Sequence, residues 1–189
     1  EKCQMEKWHC ETIVNKIKNM SGICFVTVGT TSFDDLISLF TQKEIHRALK
    51  GLGITSIELQ IGRGTIEISD FDFNDDEYLP INSFRFSPSL DEYMKNASLI
   101  ISHAGAGSIM EALALHKPIL VVINETLMDN HQSELSNALQ EQGYLTSTTC
   151  RLLSSILTND DFSLDIKKTY PEKDLDAFPA LLDQTLGFS

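Results

Sequence analysis

From residue 22 onward, short apolar runs alternate with longer stretches in which apolar residues fall three and four apart. The runs Ile23–Val28, the one opening at Leu99 and Ile119–Ile123 are apolar and rich in β-branched residues, the pattern of strands covered on both faces, and Ser56–Ile61 reads as a further strand. The intervening stretches predict helices over 33–52, with a break near "FTQKE", over 89–95, after Gly107, and over 131–142. Strand and helix in alternation predict an α/β fold, a doubly wound parallel sheet in one domain.

Two stretches fit this rhythm less well. Residues 1–20 place Met5, Trp8, Ile13, Val14 and Ile17 at loosely helical spacing, which suits either a short amphipathic helix or an extension ahead of a domain over 21–189. The acidic stretch "ISDFDFNDDEYLPIN" reads as a loop or a strand edge whose carboxylates are simply solvated.

Charge and cysteine content narrow the function classes. A net charge of −12 repels a nucleic-acid backbone or an anionic lipid surface, so no nucleic-acid partner is expected and membrane contact needs a partner protein. No apolar run approaches the roughly 20 residues that span a bilayer. Cys3, Cys10, Cys24 and Cys150 show neither a CxxC pair nor zinc spacing, so reduced thiols and a cytoplasmic setting are expected. The sequons at Asn19, Asn96 and Asn124 carry no meaning in that setting.

The candidate chemistry lies just after the strands, at "GTTS" (29–32), "GRG" (62–64), "SHAGAGS" (102–108) and "NETLMDNHQ" (124–132). In an open α/β sheet this edge holds the ligand, and helix N-termini there present N–H groups to anions. Gly105 and Gly107 allow positive φ, and Ser108 suits the cap of the following helix. A phosphate-bearing ligand is one reading of this turn; a tight strand-to-helix bend without a ligand is the other. "GAGSIM" has Met110 where the third glycine of a dinucleotide fingerprint belongs, and it follows a late strand, which disfavours an oxidoreductase. Glu111, about one turn beyond Ser108, either accepts hydrogen bonds from ribose hydroxyls or is a surface carboxylate.

"FVTVGTTSFDDLI", "LQIGRGT", "LIISHAGAGSIMEAL", "KPILVVINETLMDNHQSELS" and "GYL" together resemble glycosyltransferase family 28 over about residues 22–189. Within it they resemble small subunits that act with a membrane-bound partner. The resemblance implies a Rossmann-like domain, a single donor-binding half of the two-domain GT-B arrangement. It further implies UDP-N-acetylglucosamine (UDP-GlcNAc) as donor, GlcNAc-pyrophosphoryl-dolichol as acceptor, and a membrane-anchored, acceptor-binding partner at the cytosolic face of the endoplasmic reticulum.

By the same resemblance, Gly29, Thr30 and Thr31 face diphosphate and sugar, and backbone near Phe86 and Ser87 pairs with uracil. Residues Ala104, Gly105, Ala106, Gly107 and Ser108 cradle phosphate, Glu111 holds ribose, and Asn130, His131 and Gln132 contact the GlcNAc. His103 and His131 depart from the pattern of bacterial relatives. His103, at a strand exit, donates to phosphate or sugar, positions the ligand or moves a proton, and the general base is either this residue or a group on the partner.

No metal and no cofactor are expected, because no DxD element occurs and backbone amides can neutralise a leaving diphosphate. His9, His46 and His116 have no companions that suggest metal or a triad. The competing reading is a nucleotide-sugar-binding regulatory or scaffold subunit without turnover. Toward the C-terminus, Leu175, Phe178, Leu181, Leu182 and Leu186 fall at helical spacing, either as a docking stripe for the partner or as a cover for the chain's own core.

Overall fold

The computed structural model describes residues 22–125, 131–159, 161–166 and 168–171. The N-terminal extension, Asn130 and the apolar stripe after Pro171 lie outside them. Six parallel strands, β1 (Gly22–Thr27), β2 (Ile54–Gln60), β3 (Ile81–Phe84), β4 (Leu99–His103), β5 (Ile119–Ile123) and β6 (Thr146–Thr149), form one sheet in the order β3-β2-β1-β4-β5-β6. The helices are α1 (Asp34–Leu39), α2 (Lys43–Gly51), α3 (Asp91–Asn96), α4 (Ala106–Ala114), α5 (His131–Glu141) and α6 (Leu153–Leu157).

Each central strand feeds both faces, because successive side chains point to opposite sides. Cys24 and Val26, Leu99 and Ile101, and Leu120 and Val122 join one core with Leu36, Ile37, Leu49 and Leu153. Phe25, Ile100, Ile119 and Val121 join the other with Met94, Ile109, Ala112 and Leu139. Helices α1, α2 and α6 therefore cover the first face and α3, α4 and α5 the second. Burial on both sides is why these strands are continuous apolar runs.

The doubly wound sheet is as the alternation predicts, with differences at the edges. The helix over 33–52 is two, and the break falls at Phe40–Gln42, inside the expected stretch. Strand β2 begins two residues before Ser56 and ends at Gln60. "TSTT" forms β6, an edge strand paired only with β5; its threonines carry no apolar alternation, so the run of residues does not announce it.

The acidic stretch is not merely solvated. Lys43 pairs with Asp75 and, at 2.9 Å, with Glu77; Arg47 also pairs with Glu77, and Lys50 donates to the Asp76 carbonyl. Beneath these exposed pairs lies His46, fully buried. Its Nδ1 accepts from the Leu79 N–H at 2.9 Å, so the ring proton sits on Nε2, which donates to the Phe40 carbonyl at 2.8 Å. Tyr78 meets the ring edge-on at 4.9 Å between centroids, and Phe73 lies at 6.1 Å. A neutral imidazole thus ties the acidic loop to the turn between α1 and α2. Exposed His116 ends the turn after α4 with φ 51°.

Candidate functional site

Strand order reverses direction between β1 and β4, so the loops leaving their carboxyl ends diverge and open a crevice there. His103, the last residue of β4, spans it. Its Nδ1 lies 3.3 Å from the Thr27 carbonyl oxygen at the end of β1. A carbonyl can only accept, so the proton of the neutral ring sits on Nδ1 and Nε2 carries the lone pair. Burial holds the imidazole below its usual pKa, opposed by the hydrogen bond to Thr27. The ring is thus an acceptor at Nε2 near neutrality; donation to a phosphate would require a second proton.

Two glycines make room for this ring. At Gly29, with φ +62°, an added Cβ would stand 2.9 Å from His103 Cε1. At Gly105 it would stand 2.7 Å from the same atom and overlap Nε2. Neither Gly105 nor Gly107 has the positive φ that the sequence allows: Gly105 is the extended N-cap of α4, with φ −76°, and Gly107 is helical. Gly105 is needed to clear the histidine. Gly107 faces open space, since nothing lies within 4 Å of a Cβ there.

Helix α4 begins at Ala106, and the cap makes no side-chain hydrogen bond, so Ser108 is the third helical residue and not the cap. Ile109 N–H makes the first turn's bond, to the Gly105 carbonyl at 3.1 Å. The N–H groups of Ala106, Gly107 and Ser108 precede that bond and point out of the helix end, where the dipole favours an anion. Glu111, exposed, lies four residues beyond Gly107 on the same face, with exposed Met110 beside it. Ala104 is buried under the turn, and Ser102 Oγ donates to the His103 carbonyl at 2.8 Å.

Across the crevice, Thr27 is buried. Its Oγ1 donates to Gln60 Oε1 at 2.5 Å and accepts the Gly29 N–H at 3.0 Å, which sets the start of the 29–31 loop. Thr31 closes that loop on the Val28 carbonyl through N–H (3.3 Å) and Oγ1 (2.8 Å). Thr30 is exposed.

The loop after β2 packs flush on this one. Gly62 has φ +55°, and a Cβ there would overlap the Thr31 carbonyl and stand 2.9 Å from that of Gly29. Asp34, opening α1, accepts the Thr65 N–H at 2.9 and 3.1 Å and its hydroxyl at 2.6 Å. Burial raises the Asp34 carboxyl, but these bonds, the Ile66 N–H and the Arg85 charge together hold it below its usual value. Arg85 Nη1 donates to the carbonyls of Gly62 (3.1 Å) and Gly64 (2.9 Å), and Nη2 pairs with Glu67.

Beyond Arg85, Phe86 is 55% exposed, and Ser87 Oγ donates to the Ser89 carbonyl at 2.7 Å. His131 and Gln132 open α5, after β5. The carboxyl edge thus brings together the loops after β1 and β2, the turn into α4 and the start of α5. Sequence reasoning missed Thr27, Gln60, Asp34 and Arg85, which shape the loops. The position of "GRG" just after a strand marked that loop; the four polar residues carried no local signal. Among the described residues no three His, Cys, Asp or Glu side chains gather as a metal site needs.

Residues 23–184 match the glycosyltransferase family 28 C-terminal domain. The UDP-N-acetylglucosamine transferase subunit ALG13 of Homo sapiens is 47% identical over 130 residues, which are 69% of this chain and 11% of that protein. This chain therefore spans about a tenth of the length of that relative, and the same holds for the mouse protein. ALG13 of Saccharomyces cerevisiae is 30% identical over 194 residues, covering 86% of this chain and 95% of the yeast protein. The solution structure of ALG13 superposes with a TM-score of 0.60 at 27% identity, over 89% of this chain and 98% of that one. MurG of Acinetobacter baumannii shares the fold, with a TM-score of 0.58 at 17% identity over 91% of this chain and 45% of its own.

Proposed function

The chain belongs to glycosyltransferase family 28, and on that premise we propose that residues 21–189 form the donor-binding domain of an N-acetylglucosaminyltransferase subunit. The donor is UDP-GlcNAc and the acceptor GlcNAc-pyrophosphoryl-dolichol. A membrane-anchored partner holds the acceptor and recruits this chain to the cytosolic face of the endoplasmic reticulum; residues 1–20 are an extension. Among the described residues no helix is long and apolar enough to cross a membrane.

One observation carries the reading. At the switch point of the sheet, the unbonded N–H end of α4 faces the crevice bridged by His103, with an exposed carboxylate, Glu111, one turn along the same helix. In this arrangement the N–H groups of Ala106, Gly107 and Ser108 take up the negative charge that grows on the diphosphate as it leaves. Glu111 accepts from the ribose hydroxyls, and Phe86 and Ser87 backbone meets uracil. Gly29, Thr30 and Thr31 line diphosphate and sugar, and Asn130, His131 and Gln132 the GlcNAc.

The acceptor hydroxyl attacks the anomeric carbon, the bond to the UDP oxygen breaks, and configuration inverts. His103 positions the sugar through Nε2, while the attacking hydroxyl's proton passes to a base on the partner. A donor-binding subunit without turnover is the second reading. It is favoured by the make-up of the crevice, whose groups are chiefly backbone amides and hydroxyls that bind without moving protons.

Co-expression with the membrane partner decides. Transfer of radiolabelled GlcNAc to the lipid-linked acceptor, lost in Glu111→Ala and Gly105→Val variants of this chain, is the expected result. Transfer undiminished by both would leave this chain a binding or scaffold subunit. UDP-GlcNAc should also raise the melting temperature of the isolated chain, whereas NAD should not.

A further inference from the structure

The loop of residues 62–64 is held more firmly than a surface turn requires. Arg63 N–H donates to the Thr31 carbonyl at 2.9 Å, and Gly64 N–H to that of Ile61 at 3.1 Å. Arg85 grips the carbonyls of Gly62 and Gly64, one on either side of Arg63. Added Cβ atoms at Gly62 and Gly64 would overlap the Thr31 carbonyl and Asp34 Oδ1. A side chain is thus excluded at 62, one at 64 would displace the Asp34 carboxylate, and the one side chain between them is an arginine.

The two arginines of this region do different work. Arg85 spends its donors on two carbonyls and Glu67. Arg63 is exposed, and its guanidinium makes neither an ion pair nor a hydrogen bond among the described residues. The chain has 27 acidic residues against 15 basic ones, so a cation here without a carboxylate is against the balance of the surface. Its place is also specific. Residues 62–64 are bonded on one side to the 29–31 loop and on the other to Arg85, the residue before Phe86. Those are the two segments between which the nucleotide lies in the reading above.

We infer that Arg63 is a diphosphate-contacting residue of this site, its backbone fixed by the glycine-lined clamp so that the planar guanidinium meets paired phosphate oxygens. The inference rests on the proposed donor site and adds to it the only side-chain cation on these loops that is not already paired. Both substrates of the proposed reaction carry this chemistry: the donor has a nucleoside diphosphate and the lipid-linked acceptor a pyrophosphate. Either would draw the same side chain.

The test uses the full chain, with its membrane partner for kinetics, comparing wild type with Arg63→Gln and Arg63→Lys. If the donor's diphosphate is the ligand, Arg63→Gln should weaken UDP by about tenfold or more in calorimetry while uridine is unaffected, and should raise the KM for UDP-GlcNAc. If the acceptor's pyrophosphate is the ligand, UDP affinity should stay unchanged and the KM for the lipid-linked acceptor should rise by a similar factor. In both cases Arg63→Lys should recover part of the loss, and Tm should not move, because the exposed guanidinium makes no ion pair or hydrogen bond among the described residues.

UDP affinity and both KM values within twofold of wild type in Arg63→Gln would overturn the inference. So would a Tm lowered by several degrees, which would make the side chain structural. Failure of the wild-type chain to bind UDP-GlcNAc would instead strike the donor-site reading itself, so the two failures are distinguishable.

Discussion

His103 Nδ1 lies 3.3 Å from the Thr27 carbonyl oxygen, so the last residue of β4 closes the gap to the last residue of β1, and Gly105 lies against the far side of the ring. Gly105 and Gly107, two residues apart, should therefore fail differently. Gly105→Ala forces the imidazole aside and should destabilise by about 1–3 kcal/mol, the usual cost of overpacking, with loss of donor binding. Gly107→Ala meets no atom within 4 Å outside its own helix and should stabilise α4 by about 0.5–1 kcal/mol while weakening UDP-GlcNAc, whose phosphate occupies that space in the proposed site. Urea melts paired with calorimetry check both. A Gly105→Ala protein as stable as wild type, or a Gly107→Ala protein with full affinity, would refute the respective account.

Glu111→Ala should weaken UDP-GlcNAc by about 1.5–3 kcal/mol, the range for hydrogen bonds to a charged group. Its carboxylate is exposed on α4, so circular dichroism and Tm should be unchanged. Unaltered affinity would make it a surface residue only.

Stability should fall as pH drops below about 6.5, the ordinary histidine value. Burial depresses both His46 and His103; at His46 the Phe40 carbonyl opposes the shift and Lys50 adds to it. A depressed folded-state value means that the unfolded chain binds more protons. The contribution is therefore complete above the unfolded value and is lost as pH falls through it toward the folded one. Urea midpoints at pH 7.5, 6.5 and 5.5 should decline in that order. A flat profile would show that neither ring is held neutral.

His46→Leu should be costly at any pH, because it strands the Leu79 N–H and the Phe40 carbonyl, each worth about 1–3 kcal/mol when buried without a partner. The same variant should flatten part of the acid slope. Wild-type stability in His46→Leu would mean that water replaces the imidazole.

Truncation after Tyr170 should leave a folded domain that no longer co-sediments with membranes carrying the partner. Tyr170 stacks edge-on against Tyr144 at 5.1 Å, and Tyr144 lines a cavity of about 360 Å³ with Leu99, Pro118 and Ile119 at the sheet edge opposite the site. A truncated chain that melts far below the full chain would assign the removed stripe to its own core. One that stays folded and binds as before would exclude it as the docking element.

The sequence by itself determined the four inner strands of the sheet, because strands covered on both faces are rich in apolar residues and the helices between them must carry apolar positions three and four apart. It also marked the carboxyl edge of the sheet as the candidate site, since glycines and polar residues collect just after those runs, at Gly29, Gly62 and Gly105. What only the tertiary structure decided depends on contacts between residues far apart in the chain. Ser108 has the chemistry of a cap, yet the turn places Gly105 there, because His103 returning beneath it leaves no room for a Cβ. The acidic stretch reads as solvated until α2 sets Lys43, Arg47 and Lys50 beside it. His103 has two tautomers in sequence and one in the fold, because the carbonyl that Nδ1 faces belongs to Thr27, 76 residues earlier. Local pattern governs burial and period; the proton's place, the glycine's purpose and the partner of each charge follow from strand order.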